Sequence, residues 1–97
     1  MAEFIAILSI YYMCDAVASM RPMGVAEAQA CAETYEAVKV YFIPDRDLAP
    51  KGTLKRFEQD MAGHRGFKSW EIDNADTVAH LKQGAERSVR SAKIARH

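Results

Sequence analysis

Apolar residues recur at spacings of three and four along two stretches in the first half of the chain. In residues 4–20 the recurring positions are Phe4, Ile7, Tyr11, Cys14 and Ala18. In residues 25–43 they are Ala28, Cys31, Tyr35, Val38 and Phe42. Such spacing places each set on one face of a helix. Because Arg21-Pro22-Met23-Gly24 interrupts the pattern with turn-forming residues, the sequence predicts an antiparallel helical hairpin.

The register of this hairpin follows from the position of the turn. Residues equidistant from the turn lie opposite each other, which gives the pairs Phe4 with Phe42, Ile7 with Val38, Tyr11 with Tyr35, Cys14 with Cys31 and Ala18 with Ala28. Every pair is centred on Pro22-Met23. The turn signal and the two stripes are separate observations that agree, and this favours helices over strands. A strand interpretation of residues 4–13 and 38–43 stays open, since Ile, Tyr and Phe also favour strands.

A third, shorter helix is expected at about residues 53–63, after a loop rich in Pro, Gly and charge that runs from Pro44 to Gly52. Thr53 is a favourable N-cap for it. Its apolar positions, again at helical spacing, are Leu54, Phe57 and Met61. His64 and Phe67 would extend the same face.

The chain after the third helix is harder to assign. Gly63 and Gly66 lower helix propensity, so residues 67–72 are compatible with a further helical turn or with a short extended piece. Phe67 and Trp70 lie in this segment. We expect these two large rings to cover the open side of the hairpin, because a small domain can rarely leave such side chains exposed.

The last predicted helix is long and amphipathic, covering about residues 74–95. Asp73 is expected to cap it, with Asp76 three positions later. One narrow apolar seam runs along it, formed by Val78, Leu81, Ala85, Val89, Ala92 and Ala95. Together the elements predict an all-α fold, with residues 1–97 forming a single small helical domain.

Composition and charge narrow the class of protein. The 97 residues are 49% hydrophobic and 27% charged, with 13 Lys+Arg against 13 Asp+Glu. This is too apolar and too neutral for a disordered chain, and a neutral protein is not a generic binder of polyanions. The charge is nevertheless divided, with 3 basic and 7 acidic residues in 1–47 and 10 and 6 in 48–97. An acidic hairpin is joined to a basic half, which would let the halves attract each other or let copies dock head to tail.

Basic side chains on the last helix form the first candidate partner-binding surface. They are Lys82, Arg87, Arg90, Lys93 and Arg96. Such a face suits an acidic protein surface or nucleic-acid phosphates, although cations near a helix C-terminus are also favoured by the helix dipole alone. Residues 71–97 contain no aromatic side chain for base stacking. Nucleic acid is therefore the less favoured partner.

Apolar side chains on the first helix form the second candidate surface, because this helix is apolar nearly all round. The residues that lie outside the hairpin contact and need another cover are Ile5, Leu8, Ile10, Tyr12 and Met13. Of these, Ile5, Leu8 and Tyr12 are the candidate contact residues. If the last two helices leave them uncovered, they indicate self-association or a protein partner. The alternative is a compact monomer in which these helices cover the hairpin.

The cysteines, Cys14 and Cys31, face each other in the predicted hairpin, and a disulfide is conceivable if their Cα atoms approach within ~7 Å. The favoured interpretation is a close pair of small reduced side chains, since the cytoplasm is reducing. Neither these residues nor the three histidines have the spacing of a metal site, so we expect no metal and no cofactor.

The apolar run at residues 4–13 is shorter than the ~20 residues of a membrane-spanning helix. It also lacks the cationic start of a secretory signal, although Ala16-Val17-Ala18 resembles a cleavage site and keeps secretion open. We expect a cytoplasmic protein without a membrane span.

Catalytic motifs are absent from the sequence: there is no GxSxG, no P-loop and no HExxH. We therefore expect no enzyme activity. In general character the chain is similar to many small phage or mobile-element proteins, including virion components and inhibitors such as anti-CRISPR proteins. The favoured function is a non-catalytic protein-binding or assembly module, and the alternative is a nucleic-acid-associated protein that uses the basic last helix.

Overall fold

Four helices make up the fold. The computed structural model describes the backbone of residues 2–44 and 47–95, and the side chains of 3–44 and 47–91. The helices are α1 (Ala2–Met20), α2 (Val25–Val40), α3 (Leu54–Asp73) and α4 (Ala75–Ala95). No strand occurs in the described ranges. The prediction of an all-α fold is therefore confirmed.

The helices pack as a ring of neighbours around one core. α1 packs against α2 and α4, α2 packs against α3, and α3 meets α4. α1 and α3 consequently lie diagonally across the bundle. The core cluster consists of Phe4, Leu8, Tyr12, Val38, Phe67, Val78 and Ala85.

The α1–α2 hairpin has the predicted register. The rings of Phe4 and Phe42 lie 5.5 Å apart, those of Tyr11 and Tyr35 stack at 5.2 Å, and a disulfide joins the two cysteines. α2 ends at Val40 rather than at residue 43. The next backbone N–H groups bond three residues back, as in a tightened helix end. The contact between Phe4 and Phe42 is kept although α2 ends before Phe42.

α3 is longer than predicted, because it runs to Asp73 and residues 67–72 are helical. The N-cap prediction is confirmed, since the Thr53 hydroxyl accepts a hydrogen bond from the backbone N–H of Arg56 at 3.2 Å. Gly63 and Gly66, which were expected to weaken the helix, lie on the side of α3 that meets α2. Tertiary packing therefore outweighs their low helix propensity.

The junction between α3 and α4 differs from the prediction. Asp73 is the last residue of α3 and not the cap of α4. Asn74 separates the two helices, with its backbone N–H and its side-chain amide both donating to the Trp70 carbonyl at 2.9 Å. Its own carbonyl accepts from the N–H of Val78 at 3.0 Å. One residue thus ends one helix and begins the next.

A buried polar side chain holds the loop before α3. Gln59 is only 4% exposed. Its side chain accepts a hydrogen bond from the N–H of Ala49 at 2.9 Å and donates one to the carbonyl of Asp47 at 3.0 Å. Because these backbone groups are paired with Gln59 rather than with water, the loop is fixed against α3.

Candidate partner-binding surface

α3 has two contrasting faces, and the sequence pattern misidentified the buried one. Its buried residues are Gln59, Gly63 and Phe67, spaced four apart. The apolar stripe noted in the sequence lies opposite, with Leu54 73% exposed, Phe57 62% and Met61 40%. The expectation that Phe67 extends the face of this stripe is therefore wrong, although the spacing of the stripe does mark a helix.

The close approach of α2 explains which side of α3 is buried. A Cβ atom at Gly63 would lie 2.6 Å from the carbonyl oxygen of Lys39, and one at Gly66 would lie 2.8 Å from the Cβ of Phe42. Only a helix face without side chains at these two positions fits there. This contact fixes the rotation of α3 about its own axis.

Phe67 reinforces the same orientation. Its side chain is fully buried, and its ring lies 5.8 Å from that of Tyr11, 6.3 Å from Tyr35 and 6.0 Å from Phe42. Trp70, one turn away, meets the ring of Phe4 edge-on at 5.2 Å. The expectation that Phe67 and Trp70 cover the hairpin is confirmed, and the opposite side of α3 consequently faces outward.

We call the outward side of this helix the outer α3 face and define it by Leu54, Phe57, Glu58, Met61, Arg65 and Ile72. Ile72, two turns beyond Arg65, is 78% exposed. Both charged members are exposed as well. Exposed apolar side chains with charged neighbours on one helix face are typical of protein-interaction sites.

The apolar residues predicted as a contact surface on α1 lie elsewhere in the fold. Leu8 and Tyr12 are buried, at 0% and 2% exposure, and Ile5 is half-buried. Leu8 and Tyr12 are therefore core residues rather than a partner-binding surface, because α4 packs along this side of α1. Ile10 and Met13, which were also expected outside the hairpin contact, are the exposed large apolar residues of α1, at 52% and 39%.

The predicted basic surface on α4 is divided. The ammonium group of Lys82 lies 5.4 Å from the ring centre of Tyr12, at the boundary with α1. Arg87 and Arg90 are exposed, and the helical spacing places them on another side of α4. The side chain of Lys93 and the whole of Arg96 lie outside the described residues.

The two cysteines form a disulfide, with Cα atoms 5.8 Å apart. The pairing of Cys14 with Cys31 follows from the hairpin register, but the favoured interpretation as a reduced pair does not match this structure. Disulfides persist in oxidising environments. The cytoplasmic location stays a prediction.

Polar side chains fasten α3 to the hairpin from inside. The Tyr12 hydroxyl donates to Glu71 at 2.6 Å, and the ammonium group of Lys68 lies 3.1 Å from the same carboxylate. The Tyr35 hydroxyl is hydrogen-bonded to Nδ1 of His64. The two tyrosine hydrogen bonds join residues far apart in sequence and so hold α3 in place, whereas the Lys68–Glu71 pair lies within α3.

The tyrosines of this interior have perturbed acidity. Burial raises the pKa of Tyr11 to about 12, with a smaller contribution from the nearby carboxylate of Asp15. Burial and the hydrogen bond to Glu71 also raise the pKa of Tyr12. Burial therefore favours the protonated phenols, and it is in this form that Tyr12 donates its hydrogen bond to Glu71.

α1 is long and apolar enough to cross a membrane when length and composition alone are considered. The window Glu3–Met20 has a mean hydropathy of 1.4, and 22% of it is buried. The shorter run at residues 4–13 therefore understates the apolar length of this helix. In the fold the helix also supplies Phe4, Leu8 and Tyr12 to the core. The absence of a membrane span stays a prediction.

Comparisons of this chain with protein-family models, with curated proteins and with solved structures found no match. The fold and the surface by themselves define the class, a small all-α protein with an exposed apolar helix face.

Proposed function

We propose that this protein is a non-catalytic protein-binding or assembly module whose contact surface is the outer α3 face. The observation that supports this most strongly is that Leu54, Phe57 and Ile72 are each more than 60% exposed on one face of one helix. Covering a Leu, Ile, Phe or Met side chain contributes on the order of 1.5–3 kcal/mol. Several such residues acting together are needed, because association itself costs roughly 4–15 kcal/mol.

The position of this face favours a role in binding a partner over a role in packing the core of the protein. Its residues contribute nothing to the core cluster, which α3 enters through Phe67 on its other side. An apolar surface that the fold does not use lowers solubility unless a partner covers it. The more specific roles, an inhibitor or a virion component of a phage or mobile element, are predictions within this class.

The experiment compares two triple variants in a pull-down from host lysate, with and without nuclease. The test variant carries Leu54→Ser, Phe57→Ser and Met61→Ser. The control carries Ile10→Ser, Met13→Ser and Val25→Ser, which removes three other exposed apolar side chains, at 52%, 39% and 88% exposure. Circular dichroism checks that both variants keep their helix content.

We expect the wild type and the control variant to retain a stoichiometric protein partner or a second copy, and the test variant to lose it. Nuclease should have no effect. Equal retention by the test variant would contradict the proposal. Retention that disappears with nuclease would favour the alternative function, a nucleic-acid-associated protein that uses α4.

A further inference from the structure

We propose that the occupant of the outer α3 face is a second copy of this chain, bound with its α3 antiparallel and its Arg65 against Glu58. The inference rests on the proposed function, since it names the partner of the same surface. The observations that carry it are the charges beside the apolar residues and their spacing along the helix.

Glu58 and Arg65 provide the charge complementarity. They are seven residues apart, which is about two helical turns, so they lie on the same flank of the face and ~10 Å apart along the axis. Both are exposed. Within the described residues, neither takes part in an ion pair of its own chain. Both charges are available to a partner.

The relative direction of the two helices follows from this spacing. In an antiparallel pair related by a two-fold axis, a given flank of one helix faces the same flank of the other with its direction reversed. Glu58 of each copy then meets Arg65 of the other, and the ion pair occurs twice. In a parallel pair the two-fold axis runs along the helices and places this flank against the opposite flank of the partner, so Glu58 and Arg65 would not meet each other across the interface. The charges therefore select the antiparallel arrangement.

The apolar residues fit the same axis. The two-fold axis of the antiparallel pair crosses α3 midway between Glu58 and Arg65, beside Met61. The two Met61 side chains therefore pack against each other. Leu54 of one copy extends toward Ile72 of the other, and both are highly exposed. The formal net charge of the chain is zero, so two copies approach without overall repulsion.

The first test is a charge-reversal cycle measured by sedimentation equilibrium. We expect Glu58→Arg and Arg65→Glu each to weaken dimerisation by about tenfold, because two attractive pairs become repulsive. The double variant should recover the wild-type constant to within about threefold, since the pairs are restored with exchanged partners. Lys55→Glu makes the same charge change on α3 outside the face, and it should leave dimerisation unchanged.

The second test distinguishes the two directions by oxidative cross-linking. Met61→Cys should give a disulfide-linked dimer, because this position lies at the two-fold axis. Leu54→Cys should not, since the two copies of this position would lie ~22 Å apart in the antiparallel pair. Efficient cross-linking through Leu54→Cys would overturn the antiparallel arrangement.

The outcomes separate this inference from the proposed function. A wild-type chain that stays monomeric, yet captures another protein through the outer α3 face, would overturn the second copy as occupant and leave the function standing. A dimer that persists with unchanged affinity when Leu54, Phe57 and Met61 become Ser would overturn both. A double charge reversal that fails to recover dimerisation would overturn the Glu58–Arg65 pairing.

Discussion

Gly63 is the residue on which the orientation of α3 depends most. A Cβ atom on any other residue at this position would lie only 2.6 Å from the Lys39 carbonyl oxygen, which is too close for a non-bonded contact. A backbone carbonyl cannot swing aside as the end of a long side chain can. The absence of a side chain at Gly63 therefore lets two helix backbones come close and turns Leu54 and Phe57 outward.

Two glycine-to-alanine substitutions should consequently have opposite effects. Gly63→Ala is expected to lower the free energy of unfolding by about 1–3 kcal/mol, because the new methyl group forces α2 and α3 apart. Gly84→Ala in α4 meets nothing closer than the end of the Arg87 side chain at 3.9 Å. It should raise stability by up to ~1 kcal/mol through helix propensity. Urea denaturation of both variants tests this, and a stabilising Gly63→Ala would contradict the close packing.

Tyr11 makes stability depend on pH at the alkaline end. Its pKa is about 12 in the fold, against an ordinary value of about 10 in the unfolded chain. Because the fold holds this proton more tightly, its contribution is complete below pH ~10 and is lost as the pH rises toward ~12. Tyr11→Phe keeps the ring but removes the titration.

We therefore expect the urea midpoint of the wild type to fall more steeply than that of Tyr11→Phe between about pH 10 and about pH 12. Identical profiles for wild type and Tyr11→Phe would show that burial of Tyr11 does not perturb its acidity.

At the scale of elements, the disulfide holds α1 and α2 together near their shared turn. The two cysteines are 17 residues apart in sequence. A cross-link that closes a loop of about this length is worth ~3 kcal/mol, chiefly by restricting the unfolded chain. The aromatic pairs toward the other end of the hairpin do not depend on it.

Replacing both Cys14 and Cys31 by Ala should accordingly lower the free energy of unfolding by about 3 kcal/mol while leaving the helix content unchanged at low denaturant. Reduction of the wild type should give a similar loss. The intact wild type should also weigh two hydrogens less than its reduced form by mass spectrometry. An unchanged urea midpoint on reduction would count against the bond and against the hairpin register it reflects.

The sequence predicted the hairpin well and the outward face of α3 poorly, for a physical reason. In α1 and α2 the two apolar stripes pair with each other across the turn, so register and buried face follow from one pattern. In α3 the apolar stripe and the buried face differ, because Gly63, Gly66 and Gln59 occupy the buried side. Small and polar residues carry no hydrophobic signal, even where they make the closest contacts.

A sequence signal for the true face of α3 was nevertheless present. Gly63, Gly66, Phe67 and Trp70 follow one another at spacings of three, one and three. Two glycines beside two large rings on one helix side are consistent with close packing against a neighbour. The surface charges of the face could not have been interpreted without the fold, because their partner lies outside the chain.

At the scale of the whole molecule, the net charge of zero is the sum of an acidic first half and a basic second half. On α3 an acidic and a basic residue, Glu58 and Arg65, also lie on the same face. The outer α3 face combines three strongly exposed apolar side chains with one acidic and one basic residue. Such a surface is complementary to its own copy when reversed. Assembly is the role that we propose for this arrangement.

The measurement that tests this assembly most directly is the solution mass of the intact chain by sedimentation equilibrium at about 100 μM, since dimer formation depends on concentration. We expect the wild type to show twice the chain mass of 10.9 kDa. The variant with Leu54, Phe57 and Met61 changed to Ser should show the single-chain mass. A wild type that has the single-chain mass, or a variant that keeps the doubled mass, would contradict assembly through the outer α3 face.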